Sequence, residues 1–279
     1  MPKKEEGGFE IMSEFRSSAQ YKQNRALNIS GDVRSLVCFC VDTSGSMKEK
    51  LSLWGSKTKI NLLSGVLKNI IMGFRNDPKM RHAVAISIVT YNKYAQCKED
   101  FQDAALYEDL EESCHFEDVT SSTNMTNGLN KSLESIRSIQ RDLEDKDQNS
   151  YTPLLVFMTD GEPTNDDHWQ KKFEDIRNMV SANKLHVFPI GIGKEADMDL
   201  ISGLFPRGEI PRDFEAKYCM IKEENFVSVF DDIRRLVYEQ NNGFVDEVRS
   251  MPVYADENTL NSQGGEDIAS FLLEACIDI

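Results

Sequence analysis

The chain has 279 residues and a mass of 31.8 kDa. That is enough for one large domain with attachments, because a chain of this size buries roughly three-quarters of its unfolded surface. Its 32 basic and 47 acidic residues leave a net charge of −15 and a pI near 4.8, which excludes a phosphate-neutralising nucleic-acid groove and docking on anionic lipid; hydrophobic content of 40% and charged content of 28% exclude global disorder.

Residues 1–32 show no clear period and are read as an N-terminal extension. Met1–Gly8 carries charge with no apolar run behind it, so no secretory leader is expected. No apolar stretch approaches the roughly 18 residues of a membrane span, and the expected compartment is the cytoplasm. Ser35–Val41 reads as a strand buried on both faces. Lys59–Phe74 carries Ile60, Leu63, Val66, Leu67, Ile70, Ile71 and Phe74 at helical spacing. Ala83–Tyr91 is a second central strand, and Tyr94–Phe101, more polar, is an edge strand. Asn124–Leu143 is helical, Thr152–Thr159 a strand, Asp166–Ser181 a helix and Leu185–Ile192 a strand. Met198–Phe205 is a short helix, Tyr218–Ile221 a short strand, and Asn225–Glu239 a closing helix. Strand-length apolar runs alternating with helical segments predict an α/β fold with helices on both faces of a mostly parallel sheet.

Six cysteines are scattered without a CxxC pair. Cys38 and Cys40 alternate along one strand and serve as small buried hydrophobes. Neither a disulfide framework nor a zinc site fits the spacing of the cysteines and of His82, His115, His168 and His186. Gly191–Lys194 follows a strand as ordinary turn material and lacks the phosphate-loop spacing. Residues 241–279 hold eight acids and one base, a net of −7. Within this C-terminal extension Ile268, Phe271, Leu272 and Ala275 make a narrow apolar stripe, which either packs on the parent domain or docks on a partner. A solvated acidic face is the plainer reading of the tail; a carboxylate filling a neighbouring copy's site is the sharper one.

The chemistry concentrates at strand ends. The first strand runs into Asp42-Thr43-Ser44-Gly45-Ser46. The strand Thr152–Thr159 runs into Asp160-Gly161-Glu162-Pro163-Thr164. Between them, Ser121–Leu129 is a hydroxyl-rich loop opening a helix. In open α/β sheets ligands bind outside the carboxyl ends of the strands, so all three segments converge on one sheet edge. The donors are hard oxygens, with no His or Cys, which suits Mg²⁺, Mn²⁺ or Ca²⁺. Three hydroxyls and one or two carboxylates leave an octahedral shell incomplete. They also leave positive charge on the ion, so the site attracts an acidic group from another molecule. The alternative is ordinary cap and turn chemistry by Asp, Ser and Thr.

The segments VCFCVDTSGSM, SSTNMTNGL and VFMTDGEPT resemble the von Willebrand factor A domain and its metal-ion-dependent adhesion site, over residues 33–240. DTSGSM and TDGEPT are most similar to the bacterial cytoplasmic TerY-like branch of tellurite-resistance clusters. The resemblance implies a doubly wound, mostly parallel sheet with one short antiparallel edge strand. It implies metal ligation by Asp42, Ser44, Ser46, Thr123 and Asp160, with the acids binding directly or through water. It also implies a non-catalytic contact to a protein partner's Asp or Glu. Ser121 and Ser122 stand where the family has glycines, and Thr126 is a rival hydroxyl to Thr123. Met47–Thr58 is longer than the usual turn, so Leu53 and Trp54 either rim the metal as an interface anchor or tuck back onto the domain.

Two further functions compete with the binding module. Asp42 beside a metal could be the nucleophile of a Mg²⁺-dependent phosphohydrolase. Such enzymes need a general acid two residues on, and that position is Ser44. No Ser-His-Asp or Cys-His arrangement is visible either, so no enzymatic activity is expected. A conformational switch through the segment Asn225–Glu239 is the third reading.

Overall fold

Three fully buried strands form the centre of the sheet: β1 (Ser35–Asp42), β2 (Val84–Tyr91) and β4 (Leu154–Thr159). Their near-continuous apolar sequences suit parallel strands covered on both faces. The computed structural model describes residues 35–50, 58–116, 122–160, 163, 168–192, 196–204, 220, 221, 233 and 237. Leu53, Trp54, Ser121 and both terminal extensions lie outside the described residues. The six-stranded sheet has the order β3-β2-β1-β4-β5-β6, completed by β3 (Ala95–Asp103), β5 (His186–Ile192) and β6 (Met220–Ile221).

All pairings are parallel except β2 with β3. The expected antiparallel edge strand is therefore present, over nine residues. Register shifts near Ile88 let it run the length of β2, because a bulge absorbs the twist mismatch and re-aims side chains. The chain leaves β1 for β2 on one side and later enters β4 on the other. The strand order thus reverses at β1, and in open α/β sheets the ligand crevice falls at such a point, here outside the carboxyl ends of β1 and β4.

Helices cover both faces. On one lies α1 (Lys59–Asn76), whose Leu63, Leu67, Ile70, Ile71 and Phe74 are buried in one cluster with Val37, Phe39 and Val41. Thr58 caps α1 by accepting from Asn61 N at 3.3 Å. Ile201 of α5 (Met198–Ser202) joins the same cluster, with Ile233 and Val237. These last two are the described part of the predicted closing helix, and both are helical. On the opposite face, α3 (Met125–Glu144) and α4 (Trp169–Ser181) pack Leu129, Leu133, Ile136 and Phe173 against Cys38, Cys40 and Phe157. A short helix, α2 (Leu110–Ser113), and two 3-10 turns, Gly45–Lys48 and Ala104–Leu106, were not expected. Three or four residues carry too little period to be read from sequence. No helix among the described residues is long and apolar enough to cross a membrane.

Cys38 and Cys40 sit in the core as expected, fully buried on the same side of β1. Burial pushes the thiols of Cys40 and Cys114 up to about 12, and that of Cys38 well above its ordinary range. Only the thiolate reacts with alkylating reagents. Native protein at pH 8 should therefore stay unmodified at these three positions and be labelled there in denaturant. Peptide mass mapping reads the difference.

Candidate metal centre

The crevice at the reversal of strand order is furnished by the ends of β1 and β4. Asp42 is the last residue of β1, and Asp160 directly follows Thr159 at the end of β4. A 3-10 turn over Gly45–Lys48 then carries the chain across the mouth and presents Ser46. Ser44 and Ser46 share a hydrogen bond of 3.0 Å between their hydroxyls, and Ser46 Oγ donates to Asp160 Oδ1 at 2.8 Å. Asp42 Oδ1 accepts from the Ser44 backbone N at 2.8 Å, and Asp42 Oδ2 accepts from Thr159 Oγ1 at 2.8 Å. Tyr91, whose hydroxyl lies 3.4 Å from Asp42 Oδ2, closes the back of the site. Asp42, Ser44, Thr123 and Asp160 are buried, and Ser46 is partly exposed at the mouth.

Thr123 reaches the same edge through its neighbours. Asn124 N donates to Asn92 O just beyond β2 at 2.8 Å, and Asn92 Nδ2 donates to Thr43 Oγ1 at 3.2 Å. Thr43 is in turn tied to β2 through Tyr91 O, at 2.7 Å from its N and 3.0 Å from its hydroxyl. The loop before α3 is therefore fastened next to Ser44. Thr126, the rival hydroxyl, falls in the first turn of α3.

Cap chemistry does not account for these residues. Ser44 occupies the N-cap position of the 3-10 turn and makes no side-chain cap hydrogen bond. Asn124, not Thr123, caps α3 by accepting from Asn127 N at 2.8 Å. The hydroxyls of Ser44 and Ser46 are instead bonded to each other and, through Ser46, to Asp160. Oxygens 2.8 and 3.0 Å apart match the ~3.0 Å between adjacent ligands of an octahedron with ~2.1 Å metal–oxygen bonds. The donor set therefore fits a hard divalent ion. Among the described residues no three or more of His, Cys, Asp and Glu come together as a metal cluster. A site of this kind needs only the two acids, with hydroxyls supplying the rest.

Electrostatics set the two acids apart. Burial raises the Asp42 carboxyl from its ordinary 3.8 to about 6, and the nearby Asp160 charge adds to the rise. Asp160 has a cation beside it, which sequence reading missed. Lys59 Nζ donates to Asp160 Oδ2 at 2.8 Å and to Glu49 Oε2 at 2.9 Å. Burial pulls this lysine down, but its hydrogen bonds to Asp160 and Glu49 outweigh that and hold it above its ordinary range. The one sequence signal was a lysine at the first position of a helix, where the macrodipole disfavours a cation.

This constellation and fold agree with a comparison of sequences. A model of the von Willebrand factor type A domain matches residues 37–229, and the chain belongs to that family. No curated protein sequence matches the chain. Among solved structures it is similar to the PilB minor pilin from Streptococcus sanguinis, with a TM-score of 0.53 and 16% identity over 78% of this chain and 64% of that one. Proximal thread matrix protein 1 from the mussel byssus aligns with a TM-score of 0.49 and 14% identity over 75% and 47% of the two chains. The chain therefore spans about half to two-thirds of the length of these structures, and at such identity the likeness concerns the fold.

Proposed function

We propose that the protein is a non-enzymatic interaction module. In this reading Asp42, Ser44, Ser46, Thr123 and Asp160 hold one Mg²⁺, Mn²⁺ or Ca²⁺ ion, and the ion accepts an Asp or Glu from a partner protein. The observation that carries it is the row of hard oxygens from Ser44 through Ser46 to Asp160, spaced as adjacent ligands and free of capping duty. Bound there, a divalent ion would supply a Lewis-acidic centre for an outside carboxylate. The chain's own part is to fix the donors. Thr159 and the Ser44 amide orient Asp42, Ser46 bridges to Asp160, and the Asn92–Thr43 link fastens the Thr123 loop. Neutral hydroxyls leave the ion its positive charge, which favours an acidic ligand.

The phosphohydrolase alternative is less well supported. The position two residues beyond Asp42, where such an enzyme needs its general acid, is Ser44, whose hydroxyl is bonded to that of Ser46. A turnover assay with an aryl phosphate and Mg²⁺ tests this, and hydrolysis lost in Asp42→Asn would revive that reading.

The finer expectations complete the proposal. Residues 33–240 form the domain, flanked by extensions 1–32 and 241–279. Leu53 and Trp54 rim the partner surface, and the acidic tail offers a route to self-association. The TerY-like wording of DTSGSM and TDGEPT supports a bacterial cytoplasmic setting and a stress or tellurite-resistance role. Calorimetric titration with Mg²⁺ and Mn²⁺ tests the core of this reading. Near one equivalent should bind, and Ser44→Ala or Ser46→Ala should weaken binding tenfold or more. Partner capture should be lost in chelator. A folded protein that binds neither ion, alone or with a captured partner, contradicts the proposal.

A further inference from the structure

Lys59 is out of place by every local rule. It is the first residue of α1, where the positive end of the macrodipole repels a cation. It is only 4% exposed, and an ammonium buried without partners is strongly disfavoured. Its surroundings hold it there nonetheless. The Lys59 backbone N donates to Glu49 O at 3.0 Å, and Lys50 bridges to Thr58. Glu49 and Lys50 are thereby held against Thr58 and Lys59. The ammonium then lies between Asp160, whose side chain is fully buried, and Glu49, whose side chain is 64% exposed.

Every oxygen of Asp160 is engaged: Oδ1 by Ser46 and Oδ2 by Lys59. A divalent ion at the Ser44–Ser46 oxygens must draw on the same carboxylate. Two cations then share one buried acid, and their mutual repulsion is weakly screened there. Glu49 lies on the solvent side and is not among the candidate ligands.

On the reading of the site given above, we propose that Lys59 sets the metal affinity of this centre. Its ammonium competes with the divalent ion for Asp160, and Glu49 is the second carboxylate onto which it leans when the ion binds. The lysine weakens metal binding while stabilising the protein in chelator. Metal affinity and stability are therefore opposed at one residue, and a partner's carboxylate tips the balance toward the ion.

The test is calorimetric titration of the full chain with Mg²⁺ and Mn²⁺, together with melting temperatures in chelator and in metal. Lys59→Met should bind metal on the order of ten- to a hundredfold more tightly. It should melt lower in chelator and show a larger metal-induced rise than wild type. Lys59→Gln, which keeps a donor for Asp160 without the charge, should also tighten binding and guards against misfolding of the methionine variant. Lys59→Arg, keeping the charge, should return affinity to within a few-fold of wild type. If wild type binds and the folded neutral variants bind equally or more weakly, Lys59 positions Asp160 and does not compete for it, which overturns the inference alone. If neither wild type nor the variants bind, the metal reading fails as well. Binding by the neutral variants where wild type shows none supports the inference in its strongest form.

Discussion

Replacing Asp42 with asparagine is expected to stabilise the protein in chelator and to abolish its response to divalent metal. Asp42 is fully buried, and its carboxyl is raised from 3.8 to about 6, chiefly by burial and then by Asp160. An acid whose titration is raised by folding binds its proton more tightly in the folded state. Its contribution to stability is therefore unfavourable above about pH 6, fades as pH falls from about 6 toward about 4, and is absent below that. The full penalty at neutral pH is on the order of 3 kcal/mol. Asparagine removes the charge and keeps the shape. Its oxygen can still accept from Ser44 N, and its amide can donate to Thr159 Oγ1, which now accepts. Losing the stronger hydrogen bonds to a carboxylate offsets part of the gain, so a net of about 2 kcal/mol is expected. Urea denaturation of both proteins in chelator between pH 4 and 7 checks it. The gap should be largest at pH 7 and narrow toward pH 4. Added Mg²⁺ should stabilise wild type and leave the variant unchanged. A variant less stable than wild type in chelator at pH 7 would show that Asp42 is compensated within the protein.

The same opposition explains what sequence could and could not reveal. The strands of the sheet centre are legible because β1, β2 and β4 are buried on both faces and so read as unbroken apolar runs. α1 and α3 are legible because each covers one face and keeps a helical stripe. Asp42, Ser44, Ser46, Thr123 and Asp160 stand at element ends, so their convergence on one sheet edge follows from where open α/β sheets bind their ligands. The parts that stayed hidden are those made by contacts distant in sequence. Lys59 meets Asp160 across 101 residues, and Thr159 meets Asp42 across 117. No spacing rule links such pairs. In the sequence Lys59 is only the polar first residue of a helical segment. β3 is legible for another reason: the polar alternate positions of Tyr94–Phe101 are those of an edge, and that span overlaps the observed Ala95–Asp103.

Gly128→Ala carries the second large expected effect, and its direction runs against helix propensity. Gly128 lies inside α3, where alanine in place of glycine gains about 1 kcal/mol. A Cβ at this position would sit 2.6 Å from Tyr91 Cγ and Cδ1 and 3.0 Å from Tyr91 Cβ. The Tyr91 ring cannot retreat easily. It is fully buried and stacks on Phe157 at 5.7 Å between centroids, and its hydroxyl lies 3.4 Å from both Asp42 Oδ2 and Met158 O. Overpacking of this kind costs about 1–3 kcal/mol, so the substitution should be net destabilising by about 1 kcal/mol, and Gly128→Val by more. The effect should also reach the metal centre, because the ring that must move carries the hydroxyl closing the site behind Asp42. A measurable loss of Mg²⁺ affinity should accompany the loss of stability, although Gly128 supplies no ligand. A double-mutant cycle with Tyr91→Ala isolates the contact. In that background most of the cost of Gly128→Ala should vanish, because the ring atoms it strikes are gone. If Gly128→Ala stabilises the otherwise unaltered protein, the helix is free to shift and the close approach of α3 to β2 does not set the position of Tyr91.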